Sequence, residues 1–190
     1  YEQALEFYQE ALKRKPNRQN FLLIEYNKAL IFLSLKETQK AREHLQKVLE
    51  MFPFHAESLI LLGDIAWEEK QREKALLYYE KALKRQNRFS PYYLSLIEKI
   101  GRILVLQKDY TMAVAFYEEM LIYSKDKESL YPRLAFLYIE QKNYSKAKEC
   151  LEKMQPEEYQ TLYLFYIFYH NQGNSEKAQE YFQKAQRKKQ

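Results

Sequence analysis

Apolar residues recur along the chain at helical spacing. One pattern occurs six times: an alanine, an aromatic residue or leucine four positions on, and a small or flexible residue three positions further. This spacing places each trio on one helical face, where alanine lets a neighbouring helix come close. The trios, which predict six helices called B helices, are Ala4-Tyr8-Ala11, Ala41-Leu45-Val48, Ala75-Tyr79-Ala82, Ala113-Tyr117-Met120, Ala147-Leu151-Met154 and Ala178-Phe182-Ala185. Their first alanines are 37, 34, 38, 34 and 31 residues apart, which indicates a repeated unit.

A second apolar segment precedes five of the B helices. These segments, called A helices, are predicted at residues 21–35, 56–69, 92–107, 129–140 and 159–171. Short polar turns join each A helix to its B helix. In three of these turns a hydroxyl residue, Thr38, Thr111 or Ser175, is the predicted N-cap, because a hydroxyl oxygen can accept a bond from the free backbone N–H groups.

These helix pairs resemble the tetratricopeptide repeat, whose signature places a tryptophan, leucine and glycine in its first helix and small and aromatic residues in its second. The best match is Leu59-x2-Leu62-Gly63-x2-Ala66 followed by Ala75-x3-Tyr79-x2-Ala82, with Asn87 where the signature has proline. Ala29, Gly101 and Ala135 take the place of Gly63 in other units. The resemblance implies an all-α fold, a right-handed α-solenoid of tandem helix-turn-helix units.

A glycine inside a helix costs about 1 kcal/mol relative to alanine. We expect Gly63 and Gly101 to lie where an A helix crosses its own B helix, because close approach of the two backbones offsets that cost. Tyr166 stands at this position in the last unit, so its two helices should be splayed or packed differently.

The repeat phase divides the chain into five full units after half of another. The predicted ranges are 1–18 for the second helix of a partial repeat, then 20–53, 56–89, 90–126, 127–157 and 158–190 for repeats 1 to 5. The chain begins at Tyr1 inside a repeat, and we expect it to be a piece of a longer protein.

The resemblance also implies a concave groove lined by the A helices, where a protein or peptide binds. The repeat phase predicts the groove residues as Tyr26, Asn27, Leu30, Leu33, Ile60, Asp64, Trp67, Glu98, Arg102, Arg133, Phe136, Tyr163, Ile167 and His170. Trp67 is the predicted anchor, because tryptophan is frequent among interface hot spots. The alternatives are that Trp67 only packs against a neighbouring A helix, and that Asp64 and Arg102 are simply solvated charges.

Some members of this family clamp the carboxylates of a chaperone C-terminus with cationic and amide side chains. The corresponding positions hold Tyr26, Leu30 and Leu61, and only Lys99 is cationic. We therefore expect no such clamp. The predicted ligand is an extended or helical segment with apolar side chains, docked in the groove.

Composition and charge indicate a packed protein with a mixed surface rather than a nucleic-acid binder. Hydrophobic residues make up 46% of the 190 residues, enough for a packed core, and the net charge of +5 comes from 31 basic and 26 acidic residues that are interleaved. No basic residue recurs at one repeat position, so a helical-repeat RNA-binding protein is only an alternative. A non-catalytic arm of a larger enzyme or assembly complex is another.

Candidate chemistry is sparse in the sequence. No nucleophile and base pair, phosphate loop or metal-ligand spacing appears, and we expect no enzyme activity, cofactor or metal. His44, His55 and His170 lack carboxylate or cysteine companions at ligand spacing and are predicted to be surface or turn residues. Cys150 is predicted to be a small packing residue.

The last A helix is apolar almost all round, over residues 162–169. Such a helix needs burial on more than one side, so we expect either that the natural protein continues past this end or that the end packs against a partner or a second copy of the chain. The run is far shorter than the ~20 residues of a membrane-spanning helix. We expect no membrane span in this segment, and the sequence favours a soluble, cytoplasmic protein without determining the compartment.

Overall fold

The computed structural model describes residues 1–84, 86–87 and 90–189, which form eleven α-helices and no strand. The A helices are α2 (Arg18–Ser34), α4 (Ala56–Glu68), α6 (Pro91–Leu106), α8 (Tyr131–Glu140) and α10 (Tyr159–Asn171). The B helices are α1 (Glu2–Lys13), α3 (Thr38–Met51), α5 (Arg72–Leu83), α7 (Tyr110–Tyr123), α9 (Tyr144–Leu151) and α11 (Ser175–Lys188). The predicted ends of repeats 2 and 5, residues 89 and 190, lie outside the described residues. No helix among those described is long and apolar enough to cross a membrane.

The chain forms two compact units, residues 1–103 and 104–190. In the first unit, a core cluster of Ala29, Leu45, Leu62 and Ile65 joins α2, α3 and α4. In the second unit, α8 buries Leu134, Ala135 and Leu137 and packs against α7, α9 and α10. The core therefore runs between consecutive helices, as expected for a stack of helix pairs.

The first alanine of the B-helix pattern is buried in five of the six copies. Ala41, Ala75, Ala113 and Ala147 have no exposed surface, and Ala178 retains 4%. Ala4 is exposed, and none of the residues of α1 is buried. The small residue thus marks a helix contact in α3, α5, α7, α9 and α11, whereas α1 covers its face only in part.

Gly63 lies where α4 crosses α5, as predicted. A Cβ atom added at Gly63 would lie 2.4 Å from Cε1 and 2.6 Å from Cδ1 of Tyr79 on α5. Only a residue without a side chain lets the tyrosine ring come this close to the α4 backbone. In the last unit this contact is replaced by an aromatic pair, because the rings of Tyr166 and Phe182 are 5.2 Å apart between centroids.

All five A-to-B turns share one geometry. In each, a residue with positive φ follows the C-cap of the A helix; it is Lys36, Lys70, Lys108, Lys142 or Gly173. Its N–H and that of the next residue donate back into the last turn, as in Lys142 to Ile139 and Asn143 to Tyr138, at 2.9 and 2.8 Å. This is the Schellman motif, which satisfies carbonyl groups left free at the helix end.

The predicted N-caps Thr38, Thr111 and Ser175 are wrong, because all three lie inside their helices. In α7, α9 and α11, the N-cap is the same residue that closes the preceding Schellman motif. There the side chains of Asp109, Asn143 and Asn174 accept bonds from backbone N–H groups. In α3 the N-cap is Glu37, whose side chain makes no capping bond.

The fourth B helix is shorter than its pattern predicts. It ends at Leu151, so Met154, the third member of its trio, lies outside it. The N–H groups of Lys153 and Met154 bond three residues back, each at 3.2 Å. Pro156 explains why the helix does not continue, since a proline disfavours helical backbone at the residue before it.

Candidate functional site

A pocket of about 240 Å³ lies between α4 and α6 in the first unit. We call it the Trp67 pocket; it is lined by Asp64, Trp67, Tyr79, Ser95, Glu98, Lys99 and Arg102. Four of these, Asp64, Trp67, Glu98 and Arg102, are predicted groove residues. Because Asp64 and Trp67 are one turn apart on α4, and Glu98 and Arg102 one turn apart on α6, helical phase brings both pairs to the same cleft.

The Asp64 carboxylate is the polar centre of this pocket. It accepts a hydrogen bond of 2.6 Å from the Tyr79 hydroxyl and forms an ion pair with the Lys99 ammonium. The Lys99 Nζ atom also lies 5.3 Å from the centroid of the Tyr79 ring. Burial and the hydrogen bond to Asp64 raise the pKa of Tyr79 far above its ordinary value. Tyr79 is therefore a neutral hydrogen-bond donor that fixes Asp64.

The rim of the Trp67 pocket is formed by an aromatic ring and a cation. The Arg102 guanidinium carbon lies 5.9 Å from the centroid of the Trp67 ring, within the range of a cation–π contact. Trp67 is partly exposed and Arg102 is exposed. Trp67 thus packs against the neighbouring A helix and still presents surface at the pocket.

The predicted groove residues of α2 do not join the Trp67 pocket. Tyr26 and Leu33 pack on the core cluster of the first unit, and the Tyr26 ring makes an edge-on contact with His55 at 5.4 Å. The Asn27 amide donates to the Tyr8 hydroxyl at 3.2 Å. Leu30 is 37% exposed. On α4, Ile60 is half-buried.

The predicted residues of the second unit fall into two places. On α8, Phe136 is half-buried, and Arg133 donates to the Ser129 carbonyl oxygen at 2.5 Å. On α10, Tyr163 stacks on Tyr159 with ring centroids 6.0 Å apart. Ile167 is half-buried and His170 is exposed beside the Tyr166 ring. Tyr159 and Tyr163 are both exposed. Self-association through this repeat stays a prediction.

The prediction for His44 is wrong. His44 is only 8% exposed, and its Nδ1 atom donates a 2.6 Å hydrogen bond to the carboxylate of Glu25, which is 2% exposed. The His44 ring also stacks on Phe32 at 5.2 Å. Sequence spacing could not show this pair, because the two residues are on different helices, α2 and α3. The available signal was Glu25 itself, a carboxylate inside the apolar segment of α2, which needs a partner when buried.

Two other candidates have structural roles. His55 is the N-cap of α4 and accepts a bond from the Ser58 N–H at 3.3 Å. Cys150 is 7% exposed, and burial raises the pKa of its thiol to about 11. A thiol with that pKa is protonated near neutral pH and unreactive. Among the described residues, no group of histidine, cysteine and acidic side chains is arranged to hold a metal ion.

Comparison with known proteins gives two family matches. A profile described as tetratricopeptide repeat matches residues 20–88, and one described as the fourth ARM domain of tetratricopeptide repeat protein 21 matches residues 96–190. The chain is 32% identical to a tetratricopeptide repeat protein 21 homolog of Caenorhabditis briggsae over 73% of its length, and 35% identical to tetratricopeptide repeat protein 21B of Mus musculus over 50%. It spans 10% and 7% of these relatives.

Solved structures share the fold at low identity. MamA from Desulfovibrio magneticus RS-1 superposes with a TM-score of 0.70 and 18% identity, over 89% of this chain and 95% of that one. YrrB, described as a tetratricopeptide repeat protein with an unusual peptide-binding site, gives 0.68 and 18%, over 94% and 90%. These likenesses, together with the eleven described helices, confirm the predicted all-α solenoid of tandem helix-turn-helix units.

Proposed function

Because the chain belongs to the tetratricopeptide repeat family, we propose that it is a protein-interaction scaffold whose A helices bind a peptide segment of a partner. The Trp67 pocket is the proposed centre of binding in the first unit. Tyr26, Asn27, Leu30, Leu33 and Ile60 extend this surface along α2 and α4. In the second unit the proposed contacts are Arg133, Phe136, Tyr163, Ile167 and His170.

One observation carries the proposal. Four residues selected only by repeat phase, Asp64, Trp67, Glu98 and Arg102, line one pocket between two A helices. The pocket combines an aromatic ring, a cation and fixed polar groups, a combination found at interface hot spots. YrrB, which has a similar fold, is described as having a peptide-binding site. This agrees with a peptide as the ligand of this chain.

The charges of the pocket favour an apolar peptide over a peptide carboxylate. Lys99 is the only cation at a carboxylate-clamp position, and its charge is already offset by Asp64. A carboxylate ligand would have to compete with Asp64 for the same ammonium group. An apolar side chain can instead pack on Trp67 beside Arg102 and bury surface without breaking that ion pair.

We propose binding without catalysis at this site. The Asp64 carboxylate is engaged by Tyr79 and Lys99, and the raised pKa of Tyr79 keeps its hydroxyl protonated. General acid–base catalysis needs a group whose pKa lies near the working pH. Tyr79, with its raised pKa, does not meet this requirement near neutral pH.

The test compares partner capture by the unaltered chain with capture by two variants. Trp67→Ala removes the proposed anchor, and Leu77→Ala is the matched control because Leu77 is 49% exposed on α5, outside the pocket. Loss of a captured protein with Trp67→Ala, but not with Leu77→Ala, supports the proposal. Far-ultraviolet circular dichroism establishes that both variants keep their helix content. If a folded Trp67→Ala variant retains every partner, the proposed function is contradicted.

A further inference from the structure

A second pocket, of about 590 Å³, lies in the second unit among α7, α8 and α9. We call it the Tyr131 pocket. Its lining includes Ile122 of α7, Lys127 of the following turn, Tyr131 and Tyr138 of α8, and Lys153 after α9. Glu118, Leu121, Leu134, Lys146, Glu149 and Cys150 complete it.

This pocket faces away from the proposed groove residues of α8. Tyr131, Leu134 and Tyr138 are spaced by three and four residues, so they share one face of the helix. Arg133 and Phe136 follow Tyr131 and Leu134 by two residues each, which places them about 200° further round the helix. The Tyr131 pocket is therefore a surface separate from the one assigned to α8 under the proposed function.

The pocket has a rigid floor and an exposed apolar rim. Leu134 has no exposed surface and Tyr138 retains 4%. The Tyr138 hydroxyl donates to the Glu118 carboxylate, which also accepts a 2.8 Å hydrogen bond from Lys146. Ile122, in contrast, is 71% exposed at the edge. A partner side chain that covered Ile122 would bury apolar surface against groups that are already fixed.

The charges on the lining are not balanced. Lys146 and Glu118 offset each other. In the part of the chain that the structure describes, Lys127 and Lys153 make no ion pair, and the Lys153 ammonium lies 5.2 Å from the centroid of the Tyr131 ring. Glu149 is the one lining carboxylate, among those described, without an ion pair. Two cations against one carboxylate leave the pocket positive beside its apolar surface.

We propose that the Tyr131 pocket docks a segment of a partner protein in which an aliphatic or aromatic side chain stands next to a carboxylate. The apolar side chain packs on Ile122 and Tyr131. The carboxylate pairs with Lys127 or Lys153, which are exposed, so that the pairing removes little water from either ammonium group. The chain would thereby hold two partners on two surfaces.

The test begins with a display library of random peptides selected on the unaltered chain. The selected peptides are then counter-selected on an Ile122→Ser, Lys153→Glu double variant. Peptides that bind only the unaltered chain should pair an acidic residue with a neighbouring leucine, isoleucine, phenylalanine or tyrosine. The proposal is overturned if the enriched peptides lack acidic residues, or if every selected peptide also binds the double variant.

Single variants and one synthetic enriched peptide give the second measurement, by fluorescence anisotropy. Lys153→Glu should weaken binding by ~10-fold or more, because it sets two like charges together, and replacing the acidic residue of the peptide by its amide should weaken binding by roughly two- to five-fold. Lys148→Glu is the matched control, because Lys148 is an exposed lysine of α9 outside the lining. Trp67→Ala should leave this affinity unchanged, so failure of this proposal and failure of the proposed function are distinguishable.

Three results would overturn the inference. Equal weakening by Lys148→Glu and Lys153→Glu means that only net charge matters. Unchanged affinity in Ile122→Ser means that the rim is not the contact. Displacement of the peptide by a single-stranded RNA oligomer at similar concentration means that the lysines form a polyanion site. Circular dichroism establishes folding of each variant, and Lys153→Gln replaces Lys153→Glu if the latter loses helix content.

Discussion

The contact between Gly63 and Tyr79 gives the sharpest test of how the helix pairs pack. We predict that Gly63→Ala destabilises the first unit although alanine is the better helix former. Its Cβ atom would lie 2.4 Å from a ring atom of Tyr79, closer than carbon atoms can approach. The ring cannot simply turn away, because Tyr79 is 2% exposed and its hydroxyl is bonded to Asp64.

The expected loss follows from three contributions. Alanine in place of glycine gains about 1 kcal/mol of helix propensity. Overpacking at a close-packed contact costs about 1–3 kcal/mol. Displacement of Tyr79 also weakens its hydrogen bond to a charged group, a bond of about 1.5–3 kcal/mol. The net change in the free energy of unfolding is therefore a loss of about 1.5–5 kcal/mol.

Urea denaturation followed by far-ultraviolet circular dichroism measures this change. The control is the same substitution in a Tyr79→Leu background, where the ring is absent and the Cβ atom has room. There Gly63→Ala should cost little or should stabilise, so the two substitutions should not be additive. Equal or greater stability of Gly63→Ala in the unaltered chain refutes the packing argument, as does an equal cost in both backgrounds.

Three further predictions concern stability. Lys142→Gly should raise the free energy of unfolding by about 1 kcal/mol because φ is +58° there, while Lys148→Gly, inside α9, should lower it by a similar amount; urea titration compares them. Thr161→Val should stabilise by ~1 kcal/mol in the same assay, because the buried Thr161 hydroxyl has no hydrogen-bond partner in the described structure. The pKa of Glu25 is lowered from 4.5. Burial acts to raise this pKa, but the hydrogen bond to His44 and the nearby positive charges together have the larger effect. The contribution of Glu25 to stability is thus present above pH 4.5 and lost as the pH falls through the lowered pKa, so Glu25→Gln should flatten the stability-versus-pH curve in this acid range.

The helix pairs could be predicted because their spacing is local. The alanine pattern located α3, α5, α7, α9 and α11, and the resemblance to the tetratricopeptide repeat signature placed Gly63 where α4 crosses α5. The N-caps failed for a physical reason. An amide and a hydroxyl at adjacent positions can both cap a helix, and the preceding Schellman motif decides in favour of Asn174 over Ser175.

Contacts between helices were harder to predict. Repeat phase brought Asp64 and Arg102 to one pocket, but it gave no indication that Lys99 would pair with Asp64, since that depends on the distance between α4 and α6. The buried pair of Glu25 and His44 was missed for the same reason. Helical phase fixes which way a side chain points, whereas the partner it meets depends on packing across helices.

The Schellman turns separate stability from recognition in this chain. Four of the five turns hold a lysine with positive φ where glycine would fit without strain. Each turn lies between its own two helices, outside the linings of both pockets. A change from lysine to glycine at one turn therefore changes the stability of a single repeat. In an array where each repeat contacts only its neighbours, the effect is largely confined to that repeat and the adjacent ones. Natural variation can thus stiffen or loosen individual repeats while the binding surfaces keep their side chains.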